Sequence, residues 1–93
     1  MFEPTDYQLG LLLRIQEYET TTGDAAPFSD LYDQPRESNR AYAALRELED
    51  RGRYVRFEHR ANPSDPWSNK LIYLALTPRG AGLLADAMER EAR

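Results

Sequence analysis

The sequence predicts a single α+β domain that is mainly α-helical. Its 93 residues suffice for one hydrophobic core and are too few for two domains of ordinary size, roughly 100–150 residues each. Three segments place apolar residues at the three- and four-residue spacing of an α-helix. Between the second and the third lie two strand-like segments, separated by a loop rich in proline and asparagine. The predicted order is therefore helix, short strand, short helix, helix, strand, strand, helix.

The first helix is predicted near residues 6–21. Residues 5–8 (TDYQ) have the pattern of a capping box, and Gly23 is placed to end the helix in the left-handed conformation. The apolar residues of this helix cover a wide arc that includes Leu9 and Leu13. Two interpretations are open: complete burial of the helix within one chain, or contact with a second copy.

An extended segment near 25–28 and a short helix are predicted next. Pro27 disfavours helical backbone at the residue before it. Ser29 is the predicted N-cap of a short helix that runs to Gln34, with Leu31 facing the core.

The next helix is predicted over residues 36–51 and ends at Gly52. Its buried stripe consists of Ala41, Leu45 and Leu48, which recur at helical spacing. The opposite side of this helix is therefore expected to face away from the core.

The last third of the chain is predicted to form a hairpin and a helix. Residues 54–60 alternate between apolar and polar side chains, 61–69 form a loop, and 70–76 form a more apolar strand. His59 falls on the apolar face of the first strand, which predicts a partly buried, hydrogen-bonded side chain. Residues 77–78, threonine then proline, are the preferred start of a helix.

Composition excludes several classes of function. The chain has no cysteine, so disulfides and thiolate metal sites are excluded, and its single histidine has no histidine or cysteine partner for a metal ion. The five glycines are dispersed, so there is no glycine-rich phosphate loop. No pair of carboxylates indicates catalysis. We therefore expect no enzyme activity, no metal and no cofactor.

The sequence also predicts a cytoplasmic protein without membrane contact. The longest aliphatic run, residues 11–13, is far below the ~20 residues of a membrane span. The N-terminus lacks the basic and apolar regions of a signal peptide.

Charge is distributed unevenly along the chain. The net charge is −4, yet residues 36–60 carry seven arginines against five acids, whereas residues 1–35 carry one arginine against seven acids. Eleven of the twelve basic residues are arginine, and Lys70 is the only lysine. A basic centre is compatible with a nucleic-acid footprint, and equally with a solvated helix face of alternating charge.

Two motifs give this order of elements a family resemblance. Residues 44–55 (ALRELEDRGRYV) resemble the end of the recognition helix and the first wing strand of winged helix-turn-helix regulators. Residues 76–80 (LTPRG) resemble the segment after the wing in the MarR and PadR families. The acidic, lysine-poor composition further resembles the small haloarchaeal winged-helix repressors of the halophage phi-H repressor type. The resemblance covers residues 28–88 and implies a three-helix core, a C-terminal β-hairpin wing and a final helix.

The side of the 36–51 helix opposite the buried stripe suits the major groove of DNA. Asparagine pairs with adenine, arginine pairs with guanine, and alanine or tyrosine can contact a thymine methyl group. Arginines near a helix N-terminus can hold phosphate together with backbone amides. The residues predicted to contact DNA from this helix are Arg36, Ser38, Asn39, Arg40, Tyr42, Ala43 and Arg46. An ordinary solvent-exposed surface is the other interpretation.

The hairpin offers a second predicted contact. The resemblance implies that a wing over about 54–76 lies on the DNA backbone or in the minor groove, with Arg60, Asn69 and Lys70 as contact residues. For Trp67 three roles are open: packing over the hairpin, contact with sugar–phosphate, or contact with a second subunit.

The predicted function is a sequence-specific regulator that binds double-stranded DNA as a homodimer, and the resemblance implies repression. Two-fold pairing would place recognition helices about 34 Å apart, one turn of DNA. The alternative is a winged-helix module that binds another protein, which the overall acidity supports. The surface that distinguishes them consists of five basic side chains, which favour DNA if they cluster away from carboxylates: Arg36, Arg40, Arg46, Arg60 and Lys70.

Overall fold

A computed structural model describes residues 2–65 and 71–91. Over this part of the chain the protein is α+β and mostly helical, as the sequence predicts. Its elements are α1 (Asp6–Thr22), β1 (Ala26–Pro27), two 3-10 turns (Phe28–Leu31 and Pro35–Glu37), α2 (Ser38–Glu47), a π-helical turn (Leu48–Gly52), β2 (Val55–Arg60), β3 (Leu71–Leu76) and α3 (Pro78–Glu91).

The three strands form an antiparallel sheet in the order β1-β3-β2, so β3 is central. Val55 pairs with Leu76 and Arg60 with Leu71, while Ala26 of β1 pairs with Leu74 on the other side of β3. Because side chains alternate along a strand, these pairings place buried Ala26, Val55 and Leu74 on one face of the sheet. That face joins the hydrophobic core formed by the helices.

The core confirms the predicted stripe of the second long helix. Ala41, Leu45 and Leu48 are fully buried. Leu12 and Ile15 of α1 belong to the same core. None of the helices in the described ranges is long and apolar enough to cross a bilayer.

The limits of α1 arise from the local sequence, as predicted. The Thr5 N–H donates to Gln8 Oε1 at 2.9 Å, and the Gln8 N–H donates to Thr5 Oγ1 at 3.2 Å, which completes the capping box. Gly23 ends the helix at φ 75°. Complete burial of the helix is wrong, because Leu9 is half-buried and Leu13 is 37% exposed.

The predicted short helix over residues 29–34 is shorter and begins earlier. A 3-10 turn covers Phe28–Leu31, Pro27 precedes it, and Ser29 is therefore not its N-cap. One turn is enough to bury Leu31, as predicted, and the backbone is extended again at Tyr32. Gln34 is also extended, since it precedes a proline.

The end of the second long helix also differs from the prediction. Its last turn widens into the π-helical turn, which ends at Gly52, and the next residue, Arg53, is left-handed at φ 55°. Gly52 is buried, and a Cβ at this position would overlap the ring of Tyr54. Glycine is therefore required here by the close approach of an aromatic ring and not by backbone handedness.

The prediction that His59 is partly buried is wrong. Along the core-facing side of β2, burial decreases from Val55, which is buried, through Phe57, which is half-buried, to His59, which is exposed. The alternation of side chains continues to the end of the strand, but the hairpin extends past the core there.

Candidate nucleic-acid interface

Four predicted contact residues lie along one side of α2 and the turn before it. Arg36, Asn39, Ala43 and Arg46 follow one another at intervals of three and four residues, so they share a face of the helix. The first three are exposed, and the side chain of Arg46 is 42% exposed. We call these four residues the α2 outer stripe.

One flank of α2 is held by α1. The Arg40 guanidinium lies 3.9 Å from the centroid of the Tyr7 ring, a cation–π contact. The side chain of buried Gln8 donates to the carbonyl oxygen of Ala44 at 3.3 Å and to Glu47 Oε1 at 3.0 Å. Arg40 is therefore beside the stripe and not part of it. Stacking uses the flat face of the guanidinium and leaves its N–H edge for another partner.

The other flank of α2 is held by an aromatic cluster. The ring of Tyr42 meets Phe28 edge-on at 6.0 Å and Phe57 edge-on at 5.7 Å, measured between centroids. Tyr42 is nevertheless 41% exposed, so part of its ring faces solvent next to the stripe. Ser38 is half-buried at the start of the helix and does not share the exposed face predicted for it.

Arg46 is paired with carboxylates of the following turn. Its Nη1 lies 3.1 Å from Glu49 Oε1 and its Nη2 lies 3.5 Å from Asp50 Oδ2. By contrast, Arg36 and Arg40 make no ion pair with any described residue. Of the five basic side chains expected to lie away from carboxylates, Arg46 therefore does not, whereas Arg36 and Arg40 have no ion pair within the described ranges.

Arg60 is engaged even more completely. Its guanidinium donates twice to Asp24, at 2.9 and 2.8 Å, and once to Glu58 at 2.8 Å, and it lies 4.1 Å from the centroid of the Tyr73 ring. It therefore fastens the segment after α1 to the end of β2, across the face of the sheet opposite the core. Asn69, Lys70 and Trp67 lie outside the described residues.

Because of these ion pairs, part of the stability of the folded protein is lost at acid pH. The hydrogen bond from Arg60, together with the Ala25 N–H, lowers the pKa of Asp24 from 3.8 to about 2, and Arg60 and Arg56 also lower the pKa of Glu58. A carboxyl group whose pKa is lower in the folded protein stabilises it above the unfolded pKa, and this contribution disappears as pH falls through the folded pKa.

We therefore expect Asp24→Asn to reduce the acid sensitivity of folding. Between pH ~4 and ~2 the Tm of the wild type should fall more steeply than that of the variant. The reason is that the Asp24 carboxylate becomes protonated in this range and the variant lacks it. At pH 7 the variant should have the lower Tm. Asp30→Asn is the matched control, because Asp30 is exposed and makes no ion pair within the described ranges. Equal acid slopes for the wild type and Asp24→Asn would contradict this role.

Three residues of this region make contacts that the sequence alone does not indicate. The sequence indicates only that Gln8 is a capping residue, yet its side chain also joins α1 to α2 through hydrogen bonds to Ala44 and Glu47. The sequence indicates only that Asp24 lies in a turn, and no neighbouring residue indicates that it forms an ion pair with Arg60. For Glu49 the spacing of three residues from Arg46 signals the ion pair, but not its second bond, from the Phe57 N–H at 2.8 Å.

Comparisons with known proteins identified no relative of this chain. Among protein-family models, curated proteins and solved structures, no significant match to this chain was found. Function must therefore be argued from the chain's own residues.

Proposed function

We propose that this chain is a winged helix-turn-helix regulator that binds double-stranded DNA, with α2 as its recognition helix and the β2–β3 hairpin as its wing. The observation that carries the proposal is the α2 outer stripe. Exposed Asn39 and Ala43 lie on α2 and exposed Arg36 lies in the turn before it. The two flanks of α2 are occupied by α1 and by the aromatic cluster, so one narrow face is left for a partner.

The dimensions and chemistry of the stripe suit the major groove. From Arg36 to Arg46 it extends about 15 Å along the helix axis, comparable with about four base-pair steps. Asn39 offers the amide that pairs with adenine, and Ala43 is small enough to meet a thymine methyl group. Arg36 and the free edge of Arg40 supply positive charge for phosphates at the beginning of the helix.

A homodimer is part of the proposal, because α1 and α3 present apolar side chains that the core does not cover. Leu13 is 37% exposed and Met88 is 54% exposed. Leu9 and Leu83 are only half-buried and line a groove between the two helices. Burial of these side chains against a second copy would give a homodimer with two recognition helices, the number that reading two half-sites requires.

The protein-binding alternative is supported by the ion pairs of Arg46 and Arg60. Both cations are balanced within the chain, which reduces their attraction to phosphate, and the net charge of −4 adds no long-range attraction. For this reason we leave Arg60 out of the proposed contact set and assign it to the fold.

The test is a titration of the full chain against a randomised duplex pool over a series of salt concentrations, followed by sequencing of the bound fraction. We expect an enriched palindromic motif, and an affinity that falls linearly with salt on logarithmic axes as cations are released from phosphates. An enriched single half-site would contradict the homodimer. No enrichment at any salt concentration would overturn DNA binding and favour the protein-binding alternative.

A further inference from the structure

We propose that Glu49 is a positioning residue that sets the base specificity of Arg46. The inference rests on the proposed function, since it concerns how the α2 outer stripe reads DNA. Glu49 is the second residue of the π-helical turn, and its two carboxylate oxygens have different partners. Its Oε2 accepts the Phe57 N–H at 2.8 Å, and its Oε1 accepts Arg46 Nη1 at 3.1 Å.

The bond to Phe57 fixes the carboxylate relative to the sheet. Phe57 lies inside β2, where its backbone is held by the antiparallel ladder with β3. The ring of the same residue lies under the Arg46 guanidinium, 5.3 Å from centroid to Cζ. Arg46 is therefore held at one N–H by Glu49, whose other oxygen is bonded to β2, and it also lies against the ring of Phe57 in that strand. A long, flexible side chain ordered in this way loses less conformational entropy when it binds.

The remaining donors of Arg46 suit a base. Arginine has five N–H groups, of which Glu49 uses one. Recognition of guanine needs two donors directed at O6 and N7. Among the described residues, the Nη2 group is held only by Asp50, in a 3.5 Å contact at the exposed surface. The two acids therefore have different roles: Glu49 orients the guanidinium, and Asp50 makes the contact that DNA displaces.

Two variants that each remove one negative charge separate these roles. Glu49→Gln keeps an acceptor for the Phe57 N–H but loses the charged partner of Arg46. Asp50→Asn is the matched control, because it removes the same charge one residue away and leaves Glu49 in place. Both full-length variants are titrated against the duplex that the wild type selects from the randomised pool, against its single-base-pair substitutions, and against an unselected duplex.

We expect Glu49→Gln to lose discrimination at one base pair by roughly fivefold or more, equivalent to about 1 kcal/mol, while its affinity for the unselected duplex is unchanged or higher. Asp50→Asn should keep the wild-type discrimination and bind all duplexes more tightly. A purely structural role of Glu49 would instead lower both affinities together with the Tm. Unchanged discrimination in Glu49→Gln, or an equal loss in Asp50→Asn, would overturn the inference.

A double-mutant cycle with Arg46→Ala gives a second readout. If Glu49 acts through Arg46, Glu49→Gln should have no further effect on discrimination in the Arg46→Ala background. Additive effects would overturn the inference even if Glu49→Gln is less stable. Failure of the proposed function is distinguishable, because in that case the wild type itself selects no motif. The inference then falls with it.

Discussion

Gly80→Ala is expected to destabilise the protein by about 3 kcal/mol, the upper end of what an overpacked site costs. Gly80 is buried in the first turn of α3, and a Cβ there would overlap the carbonyl oxygen of Tyr54. A backbone carbonyl cannot rotate aside as a side chain can. This one also accepts the Thr77 N–H at 3.1 Å, so a shift of α3 would break that bond. Thermal unfolding should show a Tm lower by about 10 °C or more.

Gly82→Ala is the matched control for this prediction. Gly82 lies two residues further along the same helix, and a Cβ there would meet no atom of the described residues within 4 Å. Alanine has the higher helix propensity by about 0.5–1 kcal/mol, so this variant should be slightly more stable than the wild type. If both substitutions change Tm in the same direction, the close approach of α3 to Tyr54 is wrong.

Asn39→Asp is expected to reduce affinity for the selected duplex by about 100-fold or more without loss of stability. The substitution keeps the size of the side chain but removes the amide donor that pairs with adenine, which costs ~1–3 kcal/mol. It also brings a negative charge to the surface that faces phosphates. The stability of the fold should not decrease, because Asn39 is exposed. It lies in the first turn of α2, which contains no acidic residue, and a carboxylate there interacts favourably with the helix dipole.

Thr21→Asp adds the same charge at an exposed position in the last turn of α1, at the opposite end of that helix from Tyr7 and Gln8, which contact α2. Its effect on affinity should stay below about threefold, because salt screens distant charges over a Debye length of about 10 Å at 0.1 M. Anisotropy titrations of both variants, with thermal unfolding as the check on folding, give the comparison. Binding by Asn39→Asp within about threefold of the wild type would contradict the reading of bases by α2.

The residues that define single elements could be recognised from the sequence, because their interactions span only a few residues. The capping box of α1 joins positions three apart, and the buried stripe of α2 follows from helical periodicity. The same periodicity predicted that Asn39 and Ala43 face outward. Periodicity wrongly predicted that Ser38 is exposed. It also could not show that Tyr42 belongs to the aromatic cluster beside α2 and not to the α2 outer stripe.

Periodicity failed where burial or backbone contact depends on what lies next to an element in space. His59 continues the apolar alternation of β2 but is exposed, since alternation reports which face a residue is on and not whether anything covers it. Gly52 was predicted as the end of the second long helix, but the sequence does not show that the ring of Tyr54 is what requires glycine there. The pairing of β1 with β3 joins segments almost fifty residues apart, and no local pattern indicates it.

By itself, then, the sequence determined the α+β class, the order of the main elements, the buried stripe of α2 and the exposed positions Arg36, Asn39 and Ala43. Only the tertiary structure decided that Arg60 is held within the fold and that Glu49, the neighbour of Arg46 along the helix, is also bonded to β2. Asp24 binds Arg60 and Glu49 binds the Phe57 N–H across distances of 36 and 8 residues along the chain. The physical reason is that such contacts depend on the distance between two groups in space, which is set by the packing of the helices against the sheet and not by spacing along the chain.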